Sequence, residues 1–85
     1  MSEVRWSRGA MADRVFWSQT DPARLARIER LVLAIQTSPF AGIGKPEPLR
    51  GDLTGWWSRR IDREHRLVYR VERGVLFILQ ARRHF

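Results

Sequence analysis

Leu25, Ile28, Leu31, Val32 and Ile35 recur at the spacing of one helix face, with Arg24, Arg27 and Arg30 mostly outside the stripe. Asp21-Pro22 marks the start of this helix, the Asp as cap and the Pro at the first helical position, and Thr37-Ser38-Pro39 ends it. A helical pattern also begins at Ser7. There Met11 with Val15 and Ala12 with Phe16 fall four apart, which predicts an apolar side for the shorter helix. Val4 to Trp6, ahead of it, is short enough for an edge strand. Beyond Gly55 three runs read as strands: Trp57 to Ile61, Leu67 to Val71 and Val75 to Ala81. Arg73-Gly74 supplies the turn that pairs the last two. Between helices and strands, Phe40 to Gly55 holds four Gly and two Pro with little periodicity, and reads as an extended loop. Loops of that length in a small domain are usually functional or mobile. The order β-α-α-β-β-β predicts one α+β domain over residues 1–85, a helix hairpin packed on a mainly antiparallel sheet.

Composition narrows what such a domain could do. With no cysteine among 85 residues, disulfide staples and thiolate metal sites are excluded. No segment approaches the roughly 20 apolar residues that span a bilayer, so a soluble, cytoplasmic protein without membrane contact is expected. The net charge of +7 comes from 16 Lys and Arg against 9 Asp and Glu, and Lys45 is the single Lys. Guanidinium groups fork onto phosphates and stack on bases, so an Arg-dominated surplus favours a polyanion partner.

The inventory for chemistry is short. The two histidines, His65 and His84, are far apart, and no HExxH, CxxC or acidic cluster is present, so no metal is expected. P-loop, GxGxxG and GxSxG motifs are missing, so no nucleotide cofactor and no serine nucleophile are expected. RNA cleavage suits what remains. RNA carries its own nucleophile, the 2′-hydroxyl, and the protein need supply a base, an acid and cations around the phosphorus. Glu47 sits between Pro46 and Pro48, which restrict its backbone. Arg59 and Arg60 are adjacent on a strand and should face opposite ways, Arg66 opens the next strand, and His84 follows the last one. Taken singly, each has an ordinary explanation. Glu47 reads as a solvated loop acid, Arg60 and Arg66 as partners of Asp62 and Glu64 across a hairpin, His84 as a frayed end, and His65 as structural. Of Trp56 and Trp57, alternation buries one ring and leaves the other near the surface, where it could stack on a base.

Their combination is more specific. Pro39-Phe40-Ala41-Gly42-Ile43-Gly44-Lys45-Pro46-Glu47-Pro48-Leu49 resembles the YoeB branch of the RelE toxin superfamily. So do Gly55-Trp56-Trp57-Ser58-Arg59-Arg60-Ile61, Glu64-His65-Arg66-Leu67-Val68-Tyr69 and the ending Ala81-Arg82-Arg83-His84-Phe85. The likeness covers nearly the whole chain. It implies a microbial-ribonuclease-like fold and a toxin that cuts mRNA in the ribosomal A site, halting translation. The implied partners are the ribosome with its mRNA, a YefM-like antitoxin and a second copy in a homodimer, with DNA reached only through the antitoxin. By position the resemblance assigns Glu47 as general base, His84 as general acid and Arg66 as the transition-state arginine. Arg60 falls on a second active-site arginine and Lys45 in the same basic loop. Arg50 stands where many relatives carry Lys, which keeps charge and changes geometry. Phe85 replaces the usual terminal Tyr: its ring can still stack, but the phenolic hydrogen bond is lost, which implies slower chemistry with acid and base retained. Two other readings keep part of this pattern: a non-catalytic inhibitor like the ParE branch, and an RNA- or ribosome-binding module with weakened catalysis.

Overall fold

The chain is seen in a computed structural model that describes residues 3–83. Strand β1 (Glu3–Trp6) leads into helices α1 (Arg8–Thr20) and α2 (Pro22–Thr37). Strand β2 (Glu47–Pro48) and a single 3-10 turn (Gly51–Leu53) follow, then β3 (Trp57–Arg60), β4 (Arg66–Glu72) and β5 (Val75–Gln80). The strands form one sheet in the order β1-β5-β4-β3-β2. β1 runs parallel to β5 and the other three pairings are antiparallel, so the α+β architecture and the mainly antiparallel sheet are as expected.

The long helix buries the stripe read from its sequence, with Ile28, Leu31, Val32 and Ile35 turned inward. The shorter helix uses only part of the side predicted for it: Phe16 packs against the core, but the rest of that side faces outward. Met11 and Val15 are 47% and 51% exposed, and Ala10 and Trp17 face the core instead. Trp17 decides the matter. Its large ring is buried, and its indole N–H donates to the carbonyl of Ala81 at 2.8 Å, a contact 64 residues away. Ser7 caps this helix: its Oγ accepts from the Ala10 N–H at 3.0 Å and donates to the Leu79 carbonyl at 2.5 Å. Asp21 does precede Pro22 at the start of α2, but its carboxylate makes no capping bond and is held by the Arg24 guanidinium.

The stretch from Phe40 to Gly55 is more ordered than an extended loop. Glu47 and Pro48 pair with Ser58 and Trp57, and the Leu49 N–H continues the ladder to the Trp56 carbonyl at 2.9 Å. Pro48 is tolerated because β2 is an outer strand with no neighbour beyond it. At the opposite end of the chain, Arg73 and Gly74 take φ of 52° and 79°, the geometry of a primed hairpin turn, and join β4 to β5. Leu67, Tyr69, Leu76 and Ile78 point to the helices and form the core with Trp17, Ile28, Leu31 and Ile35. Strand alternation therefore turns Arg66, Val68, Arg70 and Phe77 to the other face, which no helix covers, although Val68 and Ser58 at its centre are buried.

Candidate active site on the open face of the sheet

Register places three of the predicted residues, Glu47, Arg60 and Arg66, on that face. Glu47 lies opposite Ser58 on β3, and Ser58 lies opposite Val68 on β4. Directly opposed residues project the same way, so Glu47 shares its side of the sheet with Arg60 and Arg66, two positions further along and opposite each other. The Cα of Glu47 is two strands and two residues from that of Arg66, on the order of 12 Å, a span that two long side chains can close.

Two like charges directly opposite each other are unfavourable in a sheet. No acid relieves the pair in the manner expected. Asp62 takes the Arg24 guanidinium and the N–H groups of Glu64 and His65, so the cross-hairpin pairing of Arg60 and Arg66 with Asp62 and Glu64 does not form. Arg66 instead donates from Nη1 to the carbonyls of Asp62, His65 and Arg63 at 2.8, 3.1 and 3.3 Å. One guanidinium nitrogen thus anchors the group while its remaining donors have no partner among the described residues. The side chains of Lys45, Glu47, Arg50 and Arg60 likewise make no hydrogen bond or ion pair there. The result is a carboxylate and two guanidiniums, that of Arg66 anchored, on one side of the sheet, with donors left over for an anion.

The loop that presents Lys45 and Glu47 is held by a residue the sequence reading left without a role. Arg59 faces away from Arg60, as alternation predicts, and is fully buried. Its Nη2 donates to the carbonyls of Ser38 and Ala41 at 2.6 and 2.8 Å, Nη1 to that of Ile43 at 3.1 Å, and Nε to the Tyr69 hydroxyl at 3.2 Å. Tyr69 in turn donates to the Pro39 carbonyl at 2.7 Å. Burial pushes the Tyr69 phenol above its ordinary pKa despite the neighbouring Arg59, so it stays a donor. Gly44 closes the clamp: φ is +85°, and its carbonyl accepts the Arg60 N–H at 2.7 Å.

The last described residue, Arg83, lies beside Arg66. The Arg66 N–H donates to the Arg83 carbonyl at 3.0 Å, and the Arg83 N–H donates to His65 Nδ1 at 2.7 Å. The His65 ring also meets Trp17 edge-on, so both its face and its Nδ1 are engaged in packing contacts. His84 and Phe85 lie outside the described residues, but the residue before them is bonded to Arg66. The two tryptophans part company by alternation: Trp57 packs on the core and Phe40, and Trp56 lies on the open side under the Arg70 guanidinium. Each ring is half-buried, so neither is lost to the interior. Among the described residues no three His, Cys, Asp or Glu gather closely enough to hold a metal ion, and no helix is long and apolar enough to cross a membrane.

Comparison with known proteins agrees over the full length. The chain is 51% identical to Toxin RelK of Mycobacterium tuberculosis across all of both chains, and 44% identical to Toxin YoeB of Escherichia coli over 94% of this chain and 95% of that one. Its fold superposes on the YoeB/ParE toxin from Agrobacterium tumefaciens with a TM-score of 0.94 at 44% identity, covering 98% and 99% of the two chains. Against the YoeB-YefM toxin-antitoxin complex from Staphylococcus aureus the TM-score is 0.91 at 37% identity, with 98% and 97% covered. YafQ from E. coli, at 16% identity and a TM-score of 0.75, shares the fold. Residues 6–85 match the family described as YoeB-like toxin of bacterial type II toxin-antitoxin system, and the chain belongs to that family.

Proposed function

We propose that this toxin is a ribosome-dependent endoribonuclease that cleaves mRNA in the A site by attack of the substrate's own 2′-hydroxyl. Glu47 takes the proton from that hydroxyl, and His84 protonates the 5′-oxygen as it leaves. Arg66 stabilises the pentacovalent phosphorane, and Lys45, Arg50 and Arg60 hold the phosphates. Phe85 stacks on a base. The scheme needs no metal, because proton transfer and fixed guanidiniums cover the charge that develops. One observation supports the reading: Glu47 shares its side of the sheet with an opposed Arg60–Arg66 pair that no carboxylate neutralises among the described residues, Asp62 being taken by Arg24. The Arg66 N–H bond to the Arg83 carbonyl sets the last described residue beside Arg66, which supports the assignment of His84.

A YefM-like antitoxin is the proposed inhibitor, a homodimer the proposed free state and the cytoplasm the proposed location. Solved structures of Staphylococcus aureus YoeB, as a dimer and with YefM, support the first two. Free RNA is expected to be a poor substrate, since the ribosome supplies the in-line geometry. The test is induced expression in a bacterium with 5′ ends of ribosome-bound messages mapped. Cuts within A-site codons are expected. Glu47→Gln and His84→Gln should each lower the cleavage rate by about 10²- to 10⁴-fold while ribosome binding persists. Growth arrest without such cuts would instead mark a non-catalytic inhibitor.

A further inference from the structure

We propose that a row of side chains next to this site, Trp56, Arg70, Phe77 and Arg5, is a second RNA subsite that holds a nucleotide flanking the cut. The proposal rests on the ribonuclease reading above and extends it to residues that reading does not use. Arg70 is paired with Phe77 on β5, and Phe77 with Arg5 on β1. Trp56 continues the β3 register to Arg70, whose Cζ lies 4.8 Å from the Trp56 ring centre. One line across the sheet therefore alternates aromatic, cation, aromatic, cation. It runs parallel to the line of Glu47, Ser58 and Val68, two residues away along the strands, or roughly 7 Å.

Three features fit a nucleotide there. The open side of the row borders a shallow pocket of about 220 Å³ lined by Arg5, Trp56, Phe77 and Leu79, with flat apolar walls suited to a base. Arg70 carries its positive charge on a side chain that is 40% exposed, so its outer guanidinium nitrogens can reach a phosphate or base oxygen. The acids beside the two cations are weak competitors. Glu72 meets Arg70 at 3.0 Å and Glu3 meets Arg5, but both pairs are well exposed and readily exchanged for a phosphate. Aromatic and cationic side chains interleaved on an uncovered sheet are the equipment by which proteins hold single strands without reading sequence.

Binding of a short, fluorescently labelled single-stranded RNA with 2′-O-methyl groups, which cannot be cut, tests the row in the full chain. Trp56→Leu should weaken binding by about 5- to 150-fold, the stacking contribution of one base. Arg70→Gln should reduce the slope of log Kd against log salt by about 0.7, and Arg70→Lys should restore that slope, because counterion release follows charge. Arg5→Gln, on an exposed edge strand, should reduce the slope likewise and does not touch the core. Unchanged affinity and slope in the folded variants, or no saturable binding by the wild type, would overturn the subsite. Cleavage of ribosome-held message by the wild type is scored separately, so absence of cuts sinks the ribonuclease reading and leaves the row to be judged on binding.

Discussion

A single peptide bond separates Arg59 from Arg60, and their fates differ completely. Arg60 is exposed beside Arg66, while Arg59 is sealed inside with its charge spread over three loop carbonyls and a tyrosine hydroxyl. No acid neutralises Arg59 among the described residues, so its burial is sustained by hydrogen bonds and by the Tyr69 ring 5.8 Å from its Cζ. Arg59→Met should therefore leave the carbonyls of Ser38, Ala41 and Ile43 without a donor and cost about 3 kcal/mol or more. Thermal unfolding should show Tm lower by more than about 10 °C. Arg59→Lys should rescue little, since one ammonium cannot reach all four acceptors. A Lys variant as stable as the wild type would mean that the forked geometry is unimportant.

At the scale of elements, β2 is what converts a glycine-rich connection into part of the site. Two residues of ladder and the Gly44–Arg60 bond set where Glu47 stands on the sheet. Gly44 permits this by lacking a side chain as well as by its positive φ. A Cβ there would sit 2.9 Å from Leu31 Cδ2, 3.1 Å from Arg59 Cβ and 3.3 Å from the Arg60 carbonyl oxygen. Gly44→Ala should cost at least about 2 kcal/mol, from left-handed strain together with overpacking. Denaturant unfolding measures it, and a loss below about 0.5 kcal/mol would show that the loop can move aside. The strands and α2 were legible because burial on one side writes a period into the sequence. β2 was not, since two residues, one of them a proline, carry no period at all.

Across the whole molecule, Arg24 on α2 bridges Asp21 and Asp62 and so ties the helix hairpin to the turn between β3 and β4. Partial burial pushes the Asp62 carboxyl upward, but hydrogen bonds from Arg24 and from the N–H groups of His65 and Glu64 outweigh it and hold the pKa below its ordinary value. A depressed carboxyl pKa favours the folded state above the unfolded value of about 3.9, and this contribution disappears as pH falls through the folded value. Asp62→Asn should thus lower stability near neutral pH, and its deficit should shrink below about pH 4. Urea unfolding of both proteins across the acid range checks this; parallel curves would show that the charge of Asp62 contributes nothing.

By itself the sequence determined the α2 stripe, the strand alternation that separates Arg59 from Arg60, the Arg73-Gly74 turn and the motifs of the family. Each of these depends on residues close together along the chain. Tertiary structure decided which face of the sheet the helices cover, hence which arginine is buried and which meets solvent. It chose Ala10 and Trp17 over Met11 and Val15 as the inner side of α1, and it sent Asp62 to Arg24 instead of across its own hairpin. Those outcomes turn on partners tens of residues away, such as Ala81 for Trp17 and Arg24 for Asp62. A local period can announce that two faces exist; only packing selects the one that is left open.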